Sequence, residues 1–314
     1  MLLHSIFWKI KHKKHQYTVL LIDTYSPSQR FWINKLMLNK NIIINYLSFK
    51  NSNDKHDVFV SFDQIQKVKQ NYIQSRLKKQ PNLDLNQLDL EFDSNTRNII
   101  GMYIAKTQKY DVVVGGYNTT SKSFYRSALR VLDKTTNTIS SAMVLNKKTQ
   151  TYVVSDPSFI IEPTEEQLVD ITKNAMDFSK KVLDKPTGAF MSFSTNGSNS
   201  SEQALKMSNA AKLFSEKYPH ENVYASEVQV DAALNNKIRE KKDLFNYQDA
   251  NVFVFPDLNS ANISYKFIQQ LGKFNAYGPF VLGFNQTVAD LSRGATTKDI
   301  IGTILISILN TNKE

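Results

Sequence analysis

The sequence predicts an α/β fold of three-layer α/β/α units around mostly parallel sheets, and three observations carry that prediction. Short β-rich runs alternate with stretches of helical period along the chain, the pattern of strands joined by crossover helices. Several of those runs are continuously apolar, as in parallel strands covered on both faces. The chain has 314 residues, of which 41% are hydrophobic and 22% charged. That suffices for two domains or one large unit, and it excludes a disordered or fibrous chain.

The elements follow in order. The opening MLLHSIFWKI carries its lysines after the apolar run, with no small-residue cleavage site before them, so it does not read as a targeting segment. Ten residues cannot span a bilayer, which takes about 20. Lys9, Lys11, Lys13 and Lys14 precede the first acid, Asp23, and read as a solvated basic tail. Strands are predicted at Tyr17–Asp23 and Ile42–Leu47. The stretch 51–98 is polar, rich in Lys, Gln and Asn and poorly periodic; helices and exposed loops are expected there without firm positions. Further strands are predicted at Asp111–Gly115, Thr151–Ser155, Ala189–Ser194 and Asn251–Phe255. Pro163 and Thr164 open a helix, with Thr164 and Gln167 in capping-box spacing and Leu168, Ile171, Ala175, Phe178 and Val182 on one face. A last helix starts at Thr297 and presents Ile300, Ile301, Ile304, Leu305, Ile308 and Leu309.

Cysteine is absent, which excludes disulfides, Cys-ligated metals and a Cys nucleophile and favours a cytoplasmic address. Lys and Arg number 39 against 29 Asp and Glu, a net charge of +10, which suits an anionic partner without choosing one. Glycine-rich nucleotide signatures, a G-x-S-x-G elbow and H-E-x-x-H are all missing, and the five histidines are scattered, so no metal site is expected.

Four strand-to-helix junctions are rich in glycine and small polar residues. They are Gly115–Thr120, with Thr119 and Thr120 ahead of a helix carrying Arg126; Ser192–Ser198, with Ser194 and Thr195; Phe255–Asn262, with Asn259 and Asn262; and Asp290–Gly294, with Ser292 and Arg293. Backbone N–H groups at helix starts, with hydroxyls and arginines nearby, bind anions. Each junction alone is ordinary loop-and-cap chemistry; four together point to a phosphorylated ligand.

The segments SFSTNGS (192–198), EVQVDAAL (227–234), NVFVFPDLNSANISYK (251–266), GPF (278–280) and VADLSRGATTKD (288–299) resemble the successive motifs of phosphate acetyltransferases. VVVGGYNTTSKSFYRSALRVL (112–132) resembles that family's first phosphate-side loop and helix. The resemblance covers roughly 105–310 in family order. It implies two α/β/α domains with a cleft between them, residues 1–138 plus 280–314 forming one and 139–279 the other. It also implies reversible acetyl transfer between acetyl phosphate and coenzyme A, with inorganic phosphate as the other product. Coenzyme A would be a substrate, no cofactor would be resident, and the enzyme would be a homodimer with neither a membrane nor a nucleic-acid partner.

By the same resemblance Asp299 is the base that takes the thiol proton, Ser292 steadies the tetrahedral oxyanion, and Arg293 and Arg126 hold phosphate groups. Arg76, in QSRLKK, stands where the family has an arginine of an L-R-K-x-K-G stretch. A helix-stabilising acid is the other reading of Asp299. The sequence departs from the family at Asn196, Ala261, Ser264 and Ala295. Two alternatives therefore stay open: a phosphate butyryltransferase, and a diverged, non-catalytic homologue that binds coenzyme A or acyl phosphate.

Overall fold

The computed structural model describes residues 2–311. Two compact units divide the chain, one formed by Leu3–Thr135 and the segment from Phe284 onward, the other by Thr136–Gly283. We call them the discontinuous and the middle unit.

The discontinuous unit begins with helix α1 (Leu2–Lys11), where a solvated tail was expected. Ile6 and Ile10 lie on its inner face and are buried. Its last carbonyls are held by side chains: Asn39 Nδ2 donates to the Phe7 oxygen, and Asn41 Nδ2 to those of Ile10 and Lys13. The charge run hid an apolar i, i+4 pair, and that pair docks the helix.

Strand β1 (Tyr17–Leu21), α2 (Pro27–Asn34), β2 (Ile42–Ser48) and the short β3 (Asp57–Phe59) follow. The uncertain stretch 51–98 supplies most of two long helices, α3 (Phe62–Lys79) and α4 (Leu85–Thr107), the second kinked at Asn95. Only Val68 and Tyr72 are buried on α3, and the part of α4 within that stretch buries only Leu88, Phe92 and Asn98, which is why no clear period showed. Strand β4 (Val112–Gly115) and α5 (Ser121–Val131) complete this run.

The middle unit comprises β5 (Ser140–Lys147), β6 (Gln150–Ser155), α6 (Glu165–Val182), β7 (Gly188–Met191), α7 (Glu202–Lys217), β8 (Val223–Val228), α8 (Val230–Leu234), α9 (Asn236–Glu240), β9 (Val252–Val254), α10 (Leu258–Gln270) and β10 (Asn275–Leu282). Thr164 and Gln167 cap α6 reciprocally. The strands lie in the order β10-β5-β6-β9-β7-β8. Pairs β10–β5 and β5–β6 are antiparallel and the other three parallel, so this sheet is mostly parallel, as read, with an antiparallel margin at β10, β5 and β6. β6, β7 and β9 pack among Met143, Val154, Phe253 and Tyr224.

The chain then re-enters the discontinuous unit as β11 (Thr287–Asp290) and α11 (Thr297–Leu309). Here the order is β3-β2-β1-β4-β11 and every pair is parallel. From β1 the chain moves outward to β2 and β3, then returns to the opposite side with β4. That reversal makes a switch point outside the carboxyl ends of β1 and β4, the place where open α/β sheets bind ligands.

Candidate active site

The switch point of the discontinuous unit is built from three loops. Asp23, just past β1, is buried and accepts the backbone N–H groups of Tyr117 at 2.8 Å and Asn118 at 3.2 Å, past β4. Asn118 Oδ1 in turn accepts the Thr24 N–H at 3.0 Å. Thr120 caps α5 by accepting the Ser123 N–H at 3.3 Å, and Asn98 Nδ2 reaches Thr119 Oγ1 at 3.5 Å.

The third loop leaves β11. Leu291 N–H donates to the Gly115 oxygen at 2.7 Å, so the loop starts against the β4 turn. Asp290 is 1% exposed, and its Oδ1 has no hydrogen-bond partner among the described residues. It lies against Gly116, whose φ is +88° and where a Cβ would stand 1.7 Å from that oxygen; only glycine fits. Burial pushes the Asp290 carboxyl up to about 6, the hydroxyls of Ser121 and Tyr125 work against that rise, and the charge of Asp23 adds to it. Asp23 is also raised by burial, opposed by the two amides and by Arg97. Two carboxyls thus sit beside one turn, each disfavouring the other's charge.

Beyond Leu291 the loop opens to solvent. Ser292 and Arg293 are exposed, with the Gly294 N–H donating to Ser292 Oγ at 3.3 Å. Asp299 is the N3 residue of α11 in a capping box with Thr296. Its Oδ2 accepts from the Thr296 N–H at 2.9 Å and hydroxyl at 2.7 Å. The expected base and the expected helix-stabilising acid are therefore the same well-anchored carboxylate.

A second group gathers where α3, α4 and α5 meet. Tyr72 Oη donates to Glu91 Oε1 at 2.5 Å, and Arg130 Nε pairs with the same oxygen at 2.9 Å. The charges of Arg76 and Arg126 both act on the Tyr72 phenol, against the upward push of burial. Arg76 Nε and Arg130 Nη1 are buried without a partner among the described residues. Arg130 thus pairs with Glu91 while Arg76 and Arg126 add positive charge beside Tyr72, a combination suited to an anion. Sequence reading singled out Arg76 and Arg126 and missed Arg130, although it lies four residues after Arg126 on the same helix.

The middle unit holds the remaining candidates, and most are structural. Glu227, fully buried, accepts from the Ser194 hydroxyl at 2.8 Å and the Gly197 N–H at 2.9 Å, while Thr195 Oγ1 donates to Gln229 at 3.2 Å. Ser194 and Thr195 are thus buried and brace their loop. Asn262 lies inside α10 and donates to the Pro157 oxygen at 2.9 Å, while Asn259, in the first turn, is exposed. Ala261, where the family has glycine, is fully buried and packs in the core. Among the described residues no cluster of three His, Asp or Glu could hold a metal ion, and no helix is long and apolar enough to cross a membrane.

Comparisons with known proteins bear on the family and the fold. The phosphate acetyl/butaryl transferase family model matches residues 34–308. The phosphate acetyltransferase of Mycoplasma capricolum is 39% identical over 218 residues, 67% of each chain. That of Bacillus subtilis is 35% identical over 215 residues, 67% of this chain and 66% of its own length. A phosphotransacetylase structure from Streptococcus pyogenes superposes with a TM-score of 0.84 over 98% of both chains at 25% identity. A branched-chain phosphotransacylase from Enterococcus faecalis, 15% identical, shares the fold with a TM-score of 0.70 over 95% of this chain and 100% of its own.

Proposed function

The chain belongs to the phosphate acetyl/butaryl transferase family, and from that premise we propose that it is a phosphate acetyltransferase working by direct thiolate attack. Acetyl phosphate and coenzyme A give acetyl-coenzyme A and inorganic phosphate, reversibly, with both substrates bound at once. The observation that carries the reading is the β11–α11 loop. It presents Ser292 and Arg293 to solvent directly beyond the switch point, with Asp299 anchored seven residues after Ser292.

Asp299 takes the proton of the coenzyme A thiol, since the thiolate is the competent nucleophile. The sulfur attacks the acetyl carbonyl, forming a C–S bond and a tetrahedral oxyanion that the Ser292 hydroxyl steadies. Collapse breaks the C–O bond to phosphate, which Arg293 holds as it leaves, and the proton on Asp299 passes out with it. Arg76, Arg126 and Arg130 hold a phosphate of the coenzyme, with Glu91 and Tyr72 fixing the last of these in place. Coenzyme A is a substrate and no resident cofactor takes part. Assembly as a homodimer and a cytoplasmic location belong to the same proposal, the first checked by light scattering on the eluted protein.

The test is thioester formation by the purified full chain with coenzyme A and either acetyl or butyryl phosphate. Faster turnover of the butyryl substrate moves the assignment within the family, and no thioester from either leaves a binding protein. Asp299→Asn keeps the size and the cap. It lowers kcat by about 10²–10⁴-fold, the usual worth of general-base help, and part of the loss returns as pH rises and the thiol ionises unaided. A kcat within threefold of the parent, or a deficit constant with pH, removes Asp299 from that role.

A further inference from the structure

Both tryptophans of the chain, Trp8 and Trp32, are about half exposed, at 45% and 50%. They sit on α1 and α2 of the discontinuous unit and are accompanied by Phe31 at 59% and Leu38 at 82% exposed. Large apolar side chains are ordinarily scattered singly over a surface. Here four of them, both tryptophans included, lie in two segments that are stitched together, because the turn after α2 carries Asn39 and Asn41, whose amides hold the carbonyls of α1.

Lys9, Lys11, Lys13, Lys14, Lys35 and Lys40 are interleaved with them, and all are exposed or partly so. The first 40 residues contain one carboxylate, Asp23, and it is buried. Arg30 is neutralised by Asp54 and Asp57; the six lysines have no such partner within their own segment. Lys11 Nζ lies 4.6 Å from the Trp8 ring centre and Lys35 Nζ 3.9 Å from that of Trp32.

From this juxtaposition we propose that the α1–α2 face docks the protein peripherally on an anionic lipid surface. Aromatic rings with an apolar body and a polar edge settle at the headgroup level of a bilayer, and lysines beside them are drawn to anionic lipids. Ile6 and Ile10 remain in the protein core, so α1 contributes its outer rings and charges without leaving the fold. Nucleic acid is the other polyanion that basic and aromatic residues recognise, but it needs open ring faces on which bases stack. Those faces are occupied. His12 stacks on Trp8 at 5.8 Å between ring centres and 24° between planes, Lys11 lies over the same ring, and Lys35 covers Trp32 with Phe31 packed edge-on at 5.5 Å. Exposed ring edges with covered faces suit a headgroup layer.

The experiment mixes the full chain with vesicles of phosphatidylcholine alone or with phosphatidylglycerol added, and reads both co-sedimentation and tryptophan emission. Because the chain has only these two tryptophans, emission reports this face and no other. The expected result is binding to the anionic vesicles alone, with a blue shift, and at least tenfold weakening when salt is raised to about 0.5 M. Lys9→Glu with Lys11→Glu, and separately Trp8→Ala with Trp32→Ala, each reduce vesicle binding at least about tenfold while thioester turnover stays unchanged. No binding to anionic vesicles overturns the proposal. So does binding without a blue shift, which places contact elsewhere, and so does capture by polyuridylate with no capture by vesicles, which assigns the face to nucleic acid.

Discussion

Replacing Asp290 by Asn should change how stability depends on pH. Burial pushes the wild-type carboxyl up to about 6 in the fold, from its ordinary value of 3.8. Because the folded value is raised, the neutral acid is the form the fold favours. Its contribution is fully present below pH 3.8 and is lost as pH rises through 6. A shift of about 2 units corresponds to about 3 kcal/mol, of which about 2 kcal/mol disappears between pH 4.5 and pH 8. Asparagine cannot ionise. The stability of the variant minus that of the parent should therefore grow by about 2 kcal/mol over that interval, whatever fixed cost the substitution carries. Part of the gain belongs to Asp23, which loses a like charge beside it, so the measured value describes the pair. Urea unfolding followed by tryptophan emission is the assay, since Trp8 and Trp32 lie in the same unit as Asp290. A difference constant with pH to within about 0.5 kcal/mol, or one that shrinks as pH rises, would refute the reading of Asp290 as a carboxyl that burial pushes upward.

Three further outcomes are expected. Gly116→Ala should destabilise the same unit by about 2 kcal/mol or more, since the added Cβ meets Asp290 Oδ1 at 1.7 Å on a backbone with φ of +88°; denaturation by urea checks it. Thr296→Ala removes the N-cap hydroxyl of α11 and one of the donors holding Asp299. It should cost about 1 kcal/mol and lower kcat with KM nearly unchanged, and Thr296→Ser should restore both. Arg130→Lys keeps the charge and gives up the planar fork, so KM for coenzyme A should rise several-fold while that for acetyl phosphate and kcat hold. Equal changes for the two substrates would place the three-arginine group outside coenzyme binding.

Legibility in the sequence followed burial on both faces. The runs at β4 and β9 are apolar without interruption because both faces of those strands are covered, and they could be read directly. Strands β5, β8 and β10 escaped, because Ser140 and Ser141, Glu227, and Gly278 with Pro279 break the apolar signal at buried positions. Some of those polar atoms find tertiary partners, such as the Ser194 hydroxyl on Glu227 Oε1, which no local pattern encodes. The site divides the same way. The loop Asp290–Gly294 and the cap at Asp299 are contiguous and were visible, whereas the Asp23–Gly116–Asp290 arrangement joins three loops distant in sequence. Thr164 and Gln167 illustrate the reverse, a purely local signal that the structure repeats bond for bond. The basic run misled because charge dominates composition, whereas two isoleucines decide docking.

The discontinuous unit has a consequence for the order in which the protein is made. Its sheet lacks β11 until the ribosome has added the 148 residues of Thr136–Gly283, although β1 to β4 are already synthesised. Through that interval β4 presents the strand edge that β11 will occupy, and Gly116 faces no carboxylate. The edge is apolar and unpaired, the kind of surface on which nascent chains associate wrongly. Elongation at 5–20 residues per second leaves it open for roughly 7 to 30 seconds. Closing it and delivering Ser292, Arg293 and Asp299 are one event, so a nascent chain has β11 and the loop that follows it together or has neither.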